Sequence, residues 1–164
     1  MADNSGSSAE RVRNALTQLG VHAEVREFGP STRTSADAAA AIGCQVAQIA
    51  KSLVFKAKPS GRAVLVIVSG INRVSEAKLA AALGEGIGKA DAAFVRDRTG
   101  FAIGGVAPVG HTERPVIFID EDLFQCAEIW AAAGTPNSVF RLTPAELQRI
   151  TGARVVALKE TPAP

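Results

Sequence analysis

Apolar residues recur at helical spacing near the start of the chain, at Val12, Ala15, Leu16 and Leu19. This spacing predicts a helix from Ser8 to Leu19, which ends at Gly20 because glycine readily stops a helix. The residues that follow alternate between apolar and polar. They predict a short, half-buried strand around Ala23–Phe28.

Two apolar runs give the clearest strand signals in the chain. Ser52–Ala57 and Ala63–Val68 flank Lys58–Gly61, whose Pro-Ser-Gly sequence is typical of a hairpin loop. The second run is apolar at every position. We therefore expect it to lie in the centre of the sheet, covered on both faces.

Capping signals predict the second and the last helix. Thr34 begins one helix, with Asp37 three residues later in the manner of a capping box and Gly43 at its end, after a loop over Pro30–Arg33.

The last helix has an equally clear start. Thr143, Pro144 and Glu146 provide the cap, the first helical proline and the box, and Gly152 ends the helix. The other predicted elements are helices from Ser75 to Leu83 before Gly84 and over Asp91–Arg98, and strands at Val116–Ile119, Ile129–Trp130 and Val155–Leu158.

Helices and strands mix here without strict βαβ alternation. That order predicts an α+β or mixed α/β class: a single domain with a curved mixed sheet, or a barrel-like core, flanked by helices. We expect the domain to cover residues 9–160, between a flexible leader (1–8) and a flexible tail (161–164).

Composition limits the range of function without deciding it. Of 164 residues, 47% are hydrophobic and 21% are charged, with a net charge of +2. Such a balance permits contact with RNA phosphates but does not demand it. Cys44 and Cys126 lie far apart, which predicts neither a disulfide framework nor a zinc site. Because the sequence has no signal-peptide or membrane-spanning run, we expect a soluble, cytoplasmic protein.

The common catalytic signatures are missing. The sequence has no GxSxG elbow, P-loop, HExxH or helix-opening GxGxxG. The two histidines, His22 and His111, each stand alone, and a lone histidine is more often a surface or hydrogen-bonded residue than a base. His111 follows a glycine turn and is the stronger candidate.

Three segments carry unusual combinations of residues. Lys51 stands at the mouth of a predicted buried strand, and Ser69–Val74 form a polar turn between a buried strand and a helix. Thr99–Gly110 combines several glycines and a proline with apolar residues. Glycine lets the backbone approach a ligand closely, so this loop is suited to gripping a substrate through peptide groups.

Each signal also has a structural explanation. Lys51 would then be a strand-end lysine whose stem lies on apolar surface, and the glycine loop would be a turn at a sheet corner. A Lys51–Ser52 base and nucleophile pair is disfavoured, because adjacent strand residues point to opposite faces.

The order of these motifs resembles the YbaK-like family, free-standing deacylases related to the editing domain of bacterial prolyl-tRNA synthetases. The resemblance covers nearly the whole chain, from about Val12 to Leu158. Its motifs are Lys51–Phe55, Val66–Gly70, Glu76–Leu79 with Leu83-Gly84, and Thr99–Gly110.

The resemblance implies roles for particular residues. Lys51 matches the family lysine implicated in binding and deacylation, and Gly104–Pro108, with Gly105, matches the family loop whose backbone holds the ester and its water. Many members have serine where this chain has Ala107, so a serine-assisted mechanism is in doubt. We take Lys51, Gly104 and Gly105 as catalytic candidates. The substrate-binding candidates are Ser69, Gly70, Asn72, Gly100, Phe101, Ala107, Pro108 and His111.

The function that follows is trans-editing hydrolysis of a small mischarged amino acid (Cys, Ala, Ser or Thr) from tRNA, with no cofactor or metal. The alternative is a non-catalytic module of the same fold that binds aminoacyl-tRNA or a synthetase. The expected partner is the tRNA acceptor end, with an aminoacyl-tRNA synthetase as a second. Candidate RNA contacts are Arg11, Arg13, Lys56, Lys58, Arg62, Arg141 and Arg149, although scattered surface charge is the simpler explanation for each of them.

Overall fold

The computed structural model describes residues 7–29 and 34–161. Five α-helices occur in these ranges: α1 (Ser8–Gln18), α2 (Ser35–Ile42), α3 (Glu76–Leu83), α4 (Ala92–Thr99) and α5 (Pro144–Thr151). Eight strands accompany them: β1 (Val25–Glu27), β2 (Ile49–Lys58), β3 (Ala63–Ser69), β4 (Gly86–Lys89), β5 (Val116–Asp120), β6 (Ile129–Ala132), β7 (Ser138–Leu142) and β8 (Arg154–Val156).

The strands form one mixed sheet. Their order is β1-β7-β6-β2-β3-β5-β8, and β4 pairs with β2 away from this path. β2 is antiparallel to β3 and β4 but parallel to β6, and β5 is parallel to both β3 and β8. The predicted mixed α/β class, with a mixed sheet flanked by helices, is confirmed.

Helices cover both faces of the central strand. Every residue of β3 is buried, as its unbroken apolar run predicts. On one face Leu65 and Ile67 share a core with α1, α4 and α5, to which Val12, Val95 and Leu147 contribute. On the other face Val64, Val66 and Val68 pack with Leu79 of α3. A third cluster joins Ala38 and Ala39 of α2 to Ile49, Trp130 and Val139.

The predicted capping boxes and helix-ending glycines of α2, α3 and α5 are confirmed. The hydroxyls of Thr34 and Thr143 each accept a hydrogen bond from the backbone N–H three residues on, and the Asp37 and Glu146 side chains complete two capping boxes. Gly43, Gly84 and Gly152 end their helices with positive φ, a conformation that costs glycine little.

The strand predictions were incomplete. β4 was missed because its Gly-Ile-Gly-Lys sequence resembles a breaker more than a strand. β7 was missed as well, and β2 begins at Ile49 rather than at Ser52. The last strand ends at Val156, not at Leu158, because the Leu158 N–H donates instead to Asp120 Oδ1 at 2.8 Å. The expected Pro30–Arg33 loop, most of the leader and most of the tail lie outside the described residues.

Candidate active site

A gap in strand pairing lies beside the first half of β2. On one side β2 pairs with β3 from Ala50 to Lys56, but on the other side β6 pairs only with Ile49 and Ala50, and β4 pairs only with residues 55–58. Among the described residues, no strand pairs with residues 51–54 on that side. Sheet edges left open in this way present unpaired backbone groups.

A cavity of about 280 Å³ occupies this gap. The β2 residues that line it run from Ile49 to Val54, and α2, the 103–106 loop and the 135–139 segment enclose the rest. The lining residues outside β2 are Phe28, Thr34, Ser35, Ala38, Val95, Ile103, Gly104, Val106, Trp130, Ala132, Thr135, Pro136, Ser138 and Val139.

The register of β2 decides which peptide groups face the cavity. The Ile49 carbonyl accepts from Gly70 N–H at 2.7 Å, and the Ala57 N–H donates to the Arg62 carbonyl at 2.9 Å. Odd-numbered residues of β2 therefore bond towards β3. Because neighbouring strand residues direct their peptide groups to opposite sides, Ser52 at the middle of the gap directs its N–H and C=O towards the cavity.

The side chains of β2 divide between the two faces of the sheet. Leu53 packs in the core that contains Leu79 of α3, here called the α3-side core. Ala50 and Val54 pack in the core that contains Val12 of α1, here called the α1-side core. Strand alternation therefore places Lys51 on the face of Leu53 and Ser52 on the face of Ala50 and Val54. The cavity thus has a cation on one face of the sheet and a hydroxyl on the other.

Lys51 is the charged group of the cavity. Burial lowers the pKa of its ammonium below the usual value, and the nearby Arg73 guanidinium lowers that pKa further. Within the described ranges no carboxylate forms an ion pair with Lys51. An ammonium without such a partner is available to an anionic or strongly polar group of a ligand.

The glycine loop contributes one face of the cavity through Gly104. This residue has a φ of 87°, and a methyl group added there would meet nothing nearer than Pro136 Cβ at 4.0 Å. Gly105 has a different role in the fold. A methyl group on Gly105 would lie 2.7 Å from the Thr135 carbonyl carbon, so the loop packs directly on the Thr135-Pro136 backbone that lines the cavity.

The polar turn after β3 does not line the cavity. The Ser69 hydroxyl donates to the Ala47 carbonyl at 2.8 Å, and Asn72 Nδ2 donates to Asp122 Oδ2 at 2.9 Å. Gly70 lies against Ser35, which does line the cavity, and a methyl group there would be 2.7 Å from the Val46 carbonyl oxygen. These residues hold the β3 end against neighbouring segments.

The remaining substrate-binding candidates form a separate cluster beneath α1. Phe101 is fully buried, with the Arg11 guanidinium 4.8 Å from its ring centre and the His111 ring edge-on at 5.9 Å. His111 Nε2 lies 2.7 Å from the Ala107 carbonyl. Pro108 and His111 line a different pocket, and Gly100 ends α4 with positive φ. The structure does not bring Gly100, Phe101, Ala107, Pro108 or His111 to the cavity at β2.

Several cavity residues were not singled out from the sequence. They come from α2, from Trp130 and from the Thr135–Ser138 turn, and they meet β2 only in the folded chain. A signal existed for the turn, since Gly134-Thr-Pro-Asn137 is a strong loop sequence. The sequence indicates Ser52 only as a possible nucleophile beside Lys51.

Most candidate RNA contacts already have intramolecular partners. Arg62 pairs with Glu85, Arg141 with Glu24 and Glu128, and Arg149 donates to the Leu19 carbonyl. Arg11 donates to the Gly100 carbonyl, and Lys56 lies over the Phe94 ring. Arg13 and Lys58 are exposed.

Two features are absent from the described ranges. No group of three or more His, Cys, Asp or Glu side chains there is placed to hold a metal ion. No helix there is long and apolar enough to cross a membrane.

Known proteins share both the sequence pattern and the fold. The uncharacterized protein YwhH of Bacillus subtilis is 31% identical over 148 residues, covering 90% of this chain and 94% of YwhH. The proline–tRNA ligase of Limosilactobacillus fermentum is 31% identical over 134 residues, or 75% of this chain, but this is only 23% of the ligase. A protein proposed to be a trans-editing enzyme for prolyl-tRNA synthetase has a crystal structure with a TM-score of 0.89 and 48% identity, covering 94% of this chain and 98% of that one.

The family model of the aminoacyl-tRNA editing domain matches residues 29–150, which contain every lining residue of the β2 cavity except Phe28 and also contain the glycine loop. The match spans well over half of the chain. The chain therefore belongs to the aminoacyl-tRNA editing domain family, and it is an aminoacyl-tRNA deacylase, a hydrolase of ester bonds.

Proposed function

We propose that this chain edits in trans, hydrolysing the ester between a small mischarged amino acid (cysteine, alanine, serine or threonine) and the acceptor end of a tRNA. The observation that carries the proposal is the cavity at the open edge of β2. Its volume of about 280 Å³ is at the lower limit of the roughly 300–1,000 Å³ usual for small-molecule sites. A cavity of this size favours a small amino acid.

The chemistry needs no strong nucleophile from the protein. An aminoacyl ester is already activated, so its hydrolysis requires a positioned water and donors for the oxyanion. The water oxygen bonds to the ester carbonyl carbon and gives up a proton, the bond from that carbon to the ribose oxygen breaks, and the ribose oxygen takes up a proton to become a hydroxyl. One preorganised oxyanion donor contributes about 2.7–4 kcal/mol.

The β2 edge offers groups suited to these steps. In the proposed mechanism the Lys51 ammonium binds a negatively charged or strongly polar part of the aminoacyl end. The peptide groups of Ser52 and Gly104 orient the ester and its water. Ala107 has no hydroxyl to offer and lies outside the cavity, so the mechanism assigns no step to a side chain at that position.

Two further parts of the proposal concern partners and place. The similarity to a protein proposed as a trans-editing enzyme for prolyl-tRNA synthetase, and to part of a proline–tRNA ligase, favours tRNA and a synthetase as partners. A reaction on tRNA is best suited to the cytoplasm, where we propose that the chain acts.

The test is a deacylation screen without added metal or nucleotide. One tRNA is charged separately with cysteine, alanine, serine and threonine, and its cognate aminoacyl form is the control. We expect release of at least one small amino acid well above the spontaneous rate, with the cognate ester spared. Equal release of all esters, or release of none, would refute the proposed substrate class.

A further inference from the structure

Ser52 carries a buried hydroxyl that has no hydrogen-bond partner. Within the described ranges only one other buried side-chain atom, Arg11 Nε, shares this condition. Leaving a buried polar group unpaired is costly, and nearly all such groups in native proteins have a partner. The unpaired hydroxyl belongs to a residue of the cavity wall, which points to a bound molecule as its partner.

The surroundings of this hydroxyl are apolar. Ala50 and Val54 flank Ser52 on the same face of β2, and both belong to the α1-side core. Val95 and Val106, from the same core, also line the cavity. Two other hydroxyls of the cavity-lining residues, Thr135 Oγ1 and Ser138 Oγ, already bond to each other at 2.7 Å. Ser52 is thus the unsatisfied polar group of an apolar compartment.

The polar groups of the cavity follow one another in space from one face of the sheet to the other. Lys51 lies on one face, the Ser52 peptide groups lie at the gap, and the Ser52 hydroxyl lies on the opposite face. The Lys51 ammonium can bind the phosphate of a nucleotide. The Ser52 peptide groups at the gap can bond to peptide-like groups of the ligand. A small side chain then enters the apolar compartment that contains the hydroxyl.

We propose that Ser52 is a specificity-determining residue, whose hydroxyl bonds to the hydroxyl or thiol of a small amino-acid side chain. The inference rests on the proposed function and narrows its substrate class to serine, threonine and cysteine over alanine. A methyl group in the compartment leaves the Ser52 hydroxyl unpaired. A site built to bond a substrate hydroxyl rejects the analogue that lacks one.

The test measures binding of two non-hydrolysable probes, the 5′-phosphates of 3′-(seryl)amino-3′-deoxyadenosine and of its alanyl counterpart, by calorimetry. Wild-type protein should bind the seryl probe about tenfold more tightly, the effect of one hydrogen bond. Ser52→Ala should weaken the seryl probe to the level of the alanyl probe without lowering the Tm. Thr151→Val is the matched control, since its hydroxyl already donates to the Leu147 carbonyl at 2.7 Å, outside the cavity. It should keep the preference and lower the Tm.

Equal wild-type affinity for the two probes would overturn the inference, as would a preference that survives Ser52→Ala. The proposed function is judged separately, by hydrolysis of charged tRNA. A preference for the seryl over the alanyl probe, without hydrolysis of charged tRNA, would refute the proposed function alone. Hydrolysis whose selectivity between amino acids is the same in wild-type protein and in Ser52→Ala would refute the inference alone.

Discussion

Lys51 and Ser52 are adjacent in the chain, yet they lie on opposite faces of β2 and line one cavity. This arrangement prevents the lysine from acting as a base for the serine. It also separates two tasks, because the cation and the unpaired hydroxyl meet different parts of a ligand that passes through the gap in the sheet.

Replacing Lys51 by alanine should reduce deacylation to near the spontaneous rate and leave the fold intact. Burial disfavours the charged form of Lys51, so its removal takes little from stability. The measurement is the rate of ester hydrolysis together with the thermal midpoint. Lys58→Ala is the matched control on the same strand, since Lys58 is exposed and outside the cavity. Near-full activity of the Lys51 variant would return this residue to a structural role.

The affinity for the seryl probe should fall at alkaline pH, starting below the ordinary lysine range. The reason is that burial and Arg73 lower the pKa of Lys51, so its ammonium deprotonates earlier than a free lysine. A non-hydrolysable probe is needed because aminoacyl esters decay in base. Arg73→Gln should move this alkaline limb to higher pH.

Stability should change with the opposite sign over the same alkaline range. Where the native pKa of Lys51 is lowered, the unfolded chain binds more protons, so the free energy of unfolding rises with pH up to the ordinary lysine value. Lys51→Ala should remove this rise. An alkaline affinity limb that persists in Lys51→Ala would show that another group controls binding.

Gly105→Ala should lower both the Tm and kcat/KM. The added methyl would approach backbone atoms of Thr135 and Pro136 within 2.7–2.8 Å, so the cavity wall must shift. Gly84→Ala is the control, because Gly84 has a φ of 83° with nothing within 4 Å of the added methyl. It should cost about 1 kcal/mol, or about 2–4 °C in Tm, with unchanged specific activity. Unchanged activity in Gly105→Ala would separate this loop from the site.

The chain should lose stability as the pH falls through 6.5, the usual pKa of histidine. Burial lowers the pKa of His111 in the fold, assisted by Arg11 and Arg114, although its bond to the Ala107 carbonyl acts the other way. Between the lowered native pKa and the ordinary value the unfolded chain binds the extra proton, which favours unfolding. His111→Gln keeps a donor but does not titrate. It should flatten the dependence of unfolding free energy between about pH 5 and 7, measured by denaturant titration.

Much of the fold was predictable because its signals are local. The capping boxes at Thr34 and Thr143 lie within four residues of sequence, and the apolar run of β3 identifies a central strand by itself. β4 could not be recognised in this way. The Lys58 side chain lies over Gly88 and leaves no room for a Cβ there, a contact between distant segments that the sequence does not reveal.

The candidate site was predictable only in part. Lys51 and Gly104 carry family motifs, and both line the cavity. Trp130 and Ser138 reach the same cavity through strand pairing between distant segments, which periodicity cannot reveal. Phe101 and His111 are next to the motif in sequence but turn into a buried cluster on α1.

The most direct test of the account is a parallel measurement of binding and hydrolysis on tRNA charged with serine, threonine, cysteine or alanine, with chelator present and no nucleotide. We expect wild-type protein to release at least one of these amino acids far faster than the spontaneous rate, while Lys51→Ala leaves the ester to decay spontaneously. Binding of charged tRNA by wild-type protein, with all four esters decaying at the spontaneous rate, would contradict the account and identify a binding module instead.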